Sequence, residues 1–217
     1  MTLTSCYASS AASAASPSDN ERSIGDAMNN KGNIMMCLTG MPGSGKTTVA
    51  DMLKEKGFTM VEHSSQIKRL MRIGGMKVNA KNMELFVIQL KKAFGRDVVS
   101  KLSSKTIASS RGNVVISGPR DPAEISYIRK FHPEVVVVAI SAPRKLRYNR
   151  IMHRKKGLKA GNYREFEWRD RKNIALGTMK LINHADYVLV NTGTLTQLRF
   201  NLDELLRTLQ DGKFERV

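Results

Sequence analysis

The sequence predicts an α/β fold: a five-stranded, mostly parallel sheet lying between layers of helices. Two observations predict it. Short, continuously apolar runs such as "NIMMCLT" (33–39), "EVVVVAIS" (134–141) and "ADYVLVN" (185–191) read as strands buried on both faces. Amphipathic helical stretches alternate with them, which joins successive strands by right-handed crossovers. No internal repeat, zinc-ligand spacing or coiled-coil heptad competes with this reading.

The elements follow in chain order. After "NIMMCLT" comes a glycine-rich loop. A helix from about Gly45 to Lys56 buries Val49, Met52 and Leu53, and Gly57 caps its end. "FTMVEH" (58–63) is the second strand, followed by a helix from Ser64 to about Arg72 that Gly74 and Gly75 break. In "NMELFVIQLKKAF", Met83, Phe86, Val87, Leu90 and Phe94 share one helix face. A helix from about Asp97 to Ser109 leads through Gly112 to the strand "NVVIS". Asp121 is placed to cap a helix from Pro122 to Phe131. The stretch 142–173 is basic and largely helical, with a break at Gly157 and Gly161. Leu198, Leu202, Leu205 and Leu209 line a closing helix.

The loop between the first strand and helix carries chemistry. "GMPGSGKT" is Gly40, four residues, Gly45, Lys46 and Thr47. Gly40, Gly43 and Gly45 let the backbone turn its N–H groups inward, and the following helix adds its positive end. Lys46 is placed to reach β- and γ-phosphates, and the Thr47 hydroxyl to ligate Mg²⁺. The cradle as a whole is Gly40, Met41, Pro42, Gly43, Ser44, Gly45, Lys46, Thr47 and Thr48. The strand before it and the helix after it make chance similarity a poor explanation.

Composition narrows the function. The chain has 217 residues and a net charge of +17. Residues 1–30 hold one basic residue (Arg22) and three acidic ones (Asp19, Glu21, Asp26), so the remainder carries 35 basic and 16 acidic residues, +19. Such a field favours phosphate-rich partners: nucleotides, RNA or an anionic surface. Cys6 and Cys37 cannot build a disulfide framework, and Cys37 reads as an inert core thiol. No run of about 18 apolar residues exists, so no membrane span is expected. The Ser/Ala-rich start lacks the basic and apolar regions of a secretory signal. Residues 1–30 are therefore expected to be a disordered extension, 31–217 a single domain, and the location cytoplasmic.

A phosphate loop alone does not choose a function. No "NKxD"-type guanine motif is present, which disfavours a GTPase. Between the last two strands Arg144, Lys145, Arg147, Arg150, Arg154, Lys155, Lys156, Lys159, Arg164, Arg169, Arg171 and Lys172 face only Glu165, Glu167 and Asp170. Small-molecule kinases place a lid there, and arginines closing over a transferred phosphoryl group stabilise its charge. Arg147, Arg150 and Arg154 share a helix face, expected to look at the nucleotide; a solvated basic face is the plainer alternative for each.

At this point "GMPGSGKTTVADMLKEKGF", "VVISGPRDPAEISYIR", "EFEWRDRKNIALG" and "ADYVLVNTGTL" together resemble an archaeal P-loop family of little-characterised proteins, related to dephospho-coenzyme A kinases and nucleoside monophosphate kinases. The resemblance covers residue 33 to about 206. It implies a P-loop nucleotide kinase-like three-layer α/β/α sandwich with a five-stranded parallel sheet, an acceptor-side helical insertion (about 64–110) and a helical lid (about 143–172). It also implies ATP and Mg²⁺ as cofactors. Arg120 matches an arginine that contacts acceptor phosphate, Arg150 a lid arginine, and Arg169 with Asp170 an Arg–Asp pair after the lid. Lys46, Arg120 and Arg150 are thus the candidate catalytic residues, and Thr47 and Ser117 the candidate metal-side residues. The family pattern has aspartate where Ser65 and Ser117 stand, and commonly an acid at Asn173. A serine can bond a metal-bound water but cannot offset the ion's charge or act as a base near neutral pH.

Among the nearby acids Asp121 reads as a helix cap, and Asp170 is the remaining candidate, through lid closure; a structural partner of an arginine is its plainer reading. Glu62 and His63 end the second strand, at the sheet edge where ligands bind. His63 is placed to take a proton from an acceptor hydroxyl; a hydrogen-bonded structural histidine is the plainer reading. The expected function is an ATP-dependent phosphotransferase for a small phosphate-bearing acceptor (dephospho-coenzyme A or nucleotide-like). The alternatives are an ATP-binding or ATPase factor associated with RNA or ribosomes, and an inactive relative. Few and scattered aromatics give no RNA-stacking platform, and Trp168 reads as a packing residue.

Overall fold

The structure is a computed structural model and describes residues 33–153 and 162–211. The expected N-terminal extension, the Gly157–Gly161 break and Arg154 lie outside the described residues. In chain order the elements are β1 (Met35–Thr39), α1 (Lys46–Glu55), β2 (Thr59–Glu62), α2 (His63–Ile73), α3 (Ala80–Phe94), α4 (Val98–Ser109) and β3 (Val114–Ser117). Then come α5 (Pro122–Arg129), β4 (Val136–Ser141), α6 (Arg144–Met152), α7 (Tyr163–Ala175), α8 (Thr178–Asn183), β5 (Tyr187–Val190) and α9 (Leu195–Gln210).

The described strands form one parallel sheet in the order β2-β3-β1-β4-β5. Alternation along each strand splits the core in two. Met36, Leu38, Val115 and Val138 meet Val49 and Leu53 of α1 and Leu198, Leu202 and Leu205 of α9. Met35, Cys37, Val114, Ile116 and Val137 meet Ile107 of α4, Ile125 and Ile128 of α5 and Leu181 of α8. Burial pushes the Cys37 thiol far above its ordinary range, so it is an inert apolar filler. A smaller core between α2, α3 and α4 is built on Ile67, Met71, Met83, Phe86, Val87, Leu90 and Val99.

Two local expectations change. His63 opens α2 instead of ending β2, so its ring is set by helix geometry at the sheet edge. The short helix α8 went unpredicted, because six residues starting after a positive-φ glycine (Gly177, φ 99°) are too few to show periodicity. The strand order itself positions the site. The chain leaves β1 toward β2 and leaves β3 toward β4, so the connections diverge between β1 and β3, opening a crevice at their C-terminal ends.

Candidate functional site

The loop after β1 fills that crevice. It turns through a bond from the Ser44 N–H to the Met41 carbonyl (3.1 Å). Gly43 (φ 81°) and Gly45 (φ 111°) are required on two counts. Both hold left-handed backbone, and a Cβ would fall 2.6 Å from the Arg147 carbonyl oxygen at Gly43 and 2.2 Å from Asn191 Nδ2 at Gly45. No side chain caps the start of α1, and its first turn has no acidic residue, so its N–H groups remain open to an anion. Lys46 Nζ lies over the loop, donating to the carbonyls of Gly40 (2.6 Å) and Met41 (3.1 Å).

A loop that turns its N–H groups inward turns carbonyls outward, and those need donors. The basic segment supplies them. Arg147 donates from Nη1 to the Pro42 carbonyl (3.1 Å) and from Nε to that of Ala142 (3.2 Å), while both terminal nitrogens bond Asp170 at 2.7 Å. Asn191 Nδ2 donates to the Ser44 carbonyl (2.8 Å), and Arg150 Nη2 holds Asn191 through its backbone carbonyl and Oδ1 (3.1 Å each). Arg150 Nη1 also approaches the Ser44 carbonyl at 3.4 Å. Burial lowers the Arg150 pKa from its ordinary value. The expectation that Arg147 looks at the nucleotide is therefore corrected: it is buried behind the loop and spent on backbone and Asp170. Arg150 is half-buried beside the loop. Asn191 was missed in the sequence, although it directly follows the last strand, at the edge where ligands bind.

Ser117 ends β3 between Leu38 and Glu62 in the register, and it lies on the sheet face that packs α1, with Thr47 in that helix's first turn. The nearest acid in the sheet is Glu62, one strand over on the same face. Ser65 Oγ donates to it at 3.0 Å and Lys68 approaches at 3.5 Å. Burial opposes its charge, but Lys68 and the Ser65 and Ser64 hydroxyls outweigh that and hold the carboxyl below its usual range. Among the described residues no group of three or more His, Cys, Asp or Glu side chains could hold a metal ion.

Beside β2 and β3 a cavity opens between α2, α3 and the Gly118–Arg120 turn, lined by His63, Met83, Glu84, Arg120, Glu124 and Arg169 among others. Thr39 Oγ1 anchors that turn by donating to the Pro119 carbonyl (2.9 Å), so cavity and phosphate loop are joined through β1. Arg120 Nη1 donates to Glu84 (2.7 Å), which also accepts from Asn173 Nδ2 (3.3 Å). Glu84 is 3% exposed and was missed in the sequence, although an acid beside the apolar stripe of α3 was a signal that could have found it. Asp121 caps α5 at Ala123 N–H (3.0 Å) and pairs with Arg96 and Lys91, which keeps it structural.

Comparison with known proteins agrees with this geometry. Residues 36–172 match a family model described as an AAA domain. The UPF0200 protein PF1294 of Pyrococcus furiosus is 30% identical over 185 residues, covering 83% of this chain and 100% of the relative. Among solved structures, TT1252 from Thermus thermophilus superposes with a TM-score of 0.58 at 23% identity, covering 82% of this chain and 99% of that one. A shikimate kinase from Bacteroides thetaiotaomicron superposes with a TM-score of 0.53 at 15% identity, covering 80% and 98%. The fold is that of the P-loop kinases. No helix among the described residues is long and apolar enough to cross a membrane. With an AAA domain over most of its described length and a likeness spanning the whole of PF1294, the chain belongs to the UPF0200 family of P-loop proteins.

Proposed function

We propose that this protein is an ATP-dependent phosphotransferase acting on a small acceptor. The observation that carries this reading is the shaped phosphate loop set in the β1–β3 crevice, with a separate lined cavity one strand away. One site receives polyphosphate and the other an acceptor, and the turn between them is shared. The P-loop kinase fold, which the shikimate kinase also has, supports the same division.

The residues fit Mg²⁺–ATP. The open N-terminus of α1 and the inward N–H groups of 40–48 suit the phosphates, and Lys46 gives up its two carbonyl partners to reach them. Thr47 would hold the metal directly and Ser117 through its water, both on the α1 face of the sheet; when bound, the ion neutralises charge on the transferring group. Arg120 faces the acceptor cavity and would receive an anionic group of the acceptor, as in dephospho-coenzyme A or a nucleotide. Arg150 and Arg147 keep the loop in shape by holding its carbonyls. Catalysis in such a site rests mainly on positioning and charge stabilisation.

The net charge of +17 favours a second reading, an ATPase associated with RNA or ribosomes. A panel of dephospho-coenzyme A, nucleoside monophosphates and shikimate distinguishes the two. The kinase reading expects acceptor-dependent ADP that Lys46→Ala abolishes. ADP formation indifferent to every acceptor but raised by RNA supports the ATPase.

A further inference from the structure

His63 lines the cavity at 2% exposure, yet among the described residues neither ring nitrogen has a hydrogen-bond partner. Its Nδ1 lies 3.3 Å from Glu124 Oε2, within reach of the carboxylate but misaligned for a hydrogen bond. Leaving a buried polar group unsatisfied costs about 1–3 kcal/mol, so a structural histidine is a poor account of this ring. The plainer sequence reading, a hydrogen-bonded core histidine, does not match it.

The residue also stands beside the phosphate loop. Glu62 pairs with Ser117 and Ser117 with Leu38, so the next residues along, His63, Gly118 and Thr39, form a row at the sheet edge where the phosphate loop begins. A Cβ built on Gly118 would stand 3.4 Å from His63 Cβ, and the Gly118 N–H bonds the Leu38 carbonyl at 3.2 Å. Glu124 is held from behind, its Oε1 2.5 Å from Lys91 Nζ, which leaves Oε2 for the ring. A carboxylate facing Nδ1 favours the tautomer with its proton there, so Nε2 keeps a lone pair. The other charged groups around the cavity are Arg120 paired with Glu84, and Arg169.

We infer that His63, oriented by Glu124, is the proton acceptor of this site and that the acceptor substrate is therefore an alcohol rather than a phosphate oxygen. The inference rests on the kinase reading. An alcohol must lose its proton as it is phosphorylated, whereas the phosphate oxygen of a nucleoside monophosphate is already ionised and needs no base. The acceptor oxygen forms a bond to the γ-phosphorus of ATP. The bond from that phosphorus to the β–γ bridging oxygen breaks, and its electron pair leaves with ADP. The hydroxyl proton passes to His63 Nε2 and is released to solvent with the products. The serines at 65 and 117 then cost the enzyme no base, because the base stands at the start of α2.

The test uses the full chain with dephospho-coenzyme A, ribose and shikimate as alcohol probes and AMP, CMP and UMP as phosphate probes. ADP formation with an alcohol, lowered at least about 100-fold in kcat by His63→Asn with ATP-analogue affinity intact, supports the inference. Glu124→Gln, a positioning change, should lower kcat less, leave KM for the acceptor near wild type, and abolish the Nδ1–H preference in the ring's ¹⁵N signals. An active wild type whose His63→Asn variant stays within about threefold, or turnover confined to the phosphate probes, overturns it. If no probe is phosphorylated, the kinase reading fails. The inference fails with it, whereas a proton on Nε2 of wild-type His63 in an active kinase, read from its ¹⁵N signals, overturns the assignment of the base alone. The sequence has four histidines, and the His63→Asn spectrum identifies the signal.

Discussion

Asp170→Asn should weaken both the fold and the phosphate loop, and the structure sets the size of each effect. Asp170 and Arg147 are 6% and 7% exposed and share two 2.7 Å bonds, with Arg144 3.9 Å away as a further cation. Neutralising the acid leaves a buried guanidinium facing an uncharged amide with a single acceptor oxygen, and the Pro42 and Ala142 carbonyls are its other acceptors. Breaking one side of a buried pair costs about 3–5 kcal/mol, and the two surviving bonds point to the lower end, about 3 kcal/mol. For a domain of this size that is a fall of about 6–12 °C in Tm. Urea unfolding measures the stability, and titration with a fluorescent ATP analogue measures the loop. The double variant Arg147→Met, Asp170→Leu separates the two roles. Removing both charges should restore much of the stability, yet affinity should stay low because the Pro42 carbonyl has lost its donor. Stability within about 1 kcal/mol of wild type for Asp170→Asn would refute the buried-pair reasoning, and wild-type affinity in the double variant would refute the bracing of the loop.

Three further outcomes are expected. Gly43→Ala should abolish ATP-analogue binding by calorimetry, since its Cβ would meet the Arg147 backbone at 2.6 Å from a φ of 81°. Ser117→Asp should raise Mg²⁺ affinity in the nucleotide complex, read by metal titration; an unchanged value places the metal contact elsewhere. Burial opposes the charge of Asp121, but bonds from Arg96 and the Ala123 N–H, with Lys91 nearby, outweigh it and hold its carboxyl below the usual range. The unfolded chain therefore takes up that proton first as pH falls, so this stabilisation is complete above about pH 4 and is lost below it. Arg96→Ala should flatten that acid limb in urea unfolding measured from pH 6 to pH 3, and an unchanged limb would exclude the Arg96 contribution.

The phosphate loop, the strands and the apolar helix faces were legible because each is written in neighbouring residues: spacing, periodicity and glycine at required turns. Arg120 was singled out only through the family resemblance, and the structure places it on the cavity wall. His63 was noticed at a strand end, but its orphaned ring nitrogens were not, because Glu124 lies on a helix that follows a different strand. Glu84 was missed, because nothing local names Arg120 as its partner.

By itself, then, the sequence determined that a parallel α/β sheet carries a phosphate loop, with serines at 65 and 117. Tertiary structure alone decided which carbonyls and carboxylates the arginines meet, and that His63 lies against Glu124. Arg147 reaches Pro42 across 105 positions and Asp170 across 23, and His63 meets Glu124 only because two crossovers bring their helices to one sheet edge. Local patterns record which face of an element is buried. They do not record which carbonyl or carboxylate the fold will set against a charged side chain, because that depends on strand order and the packing of distant elements.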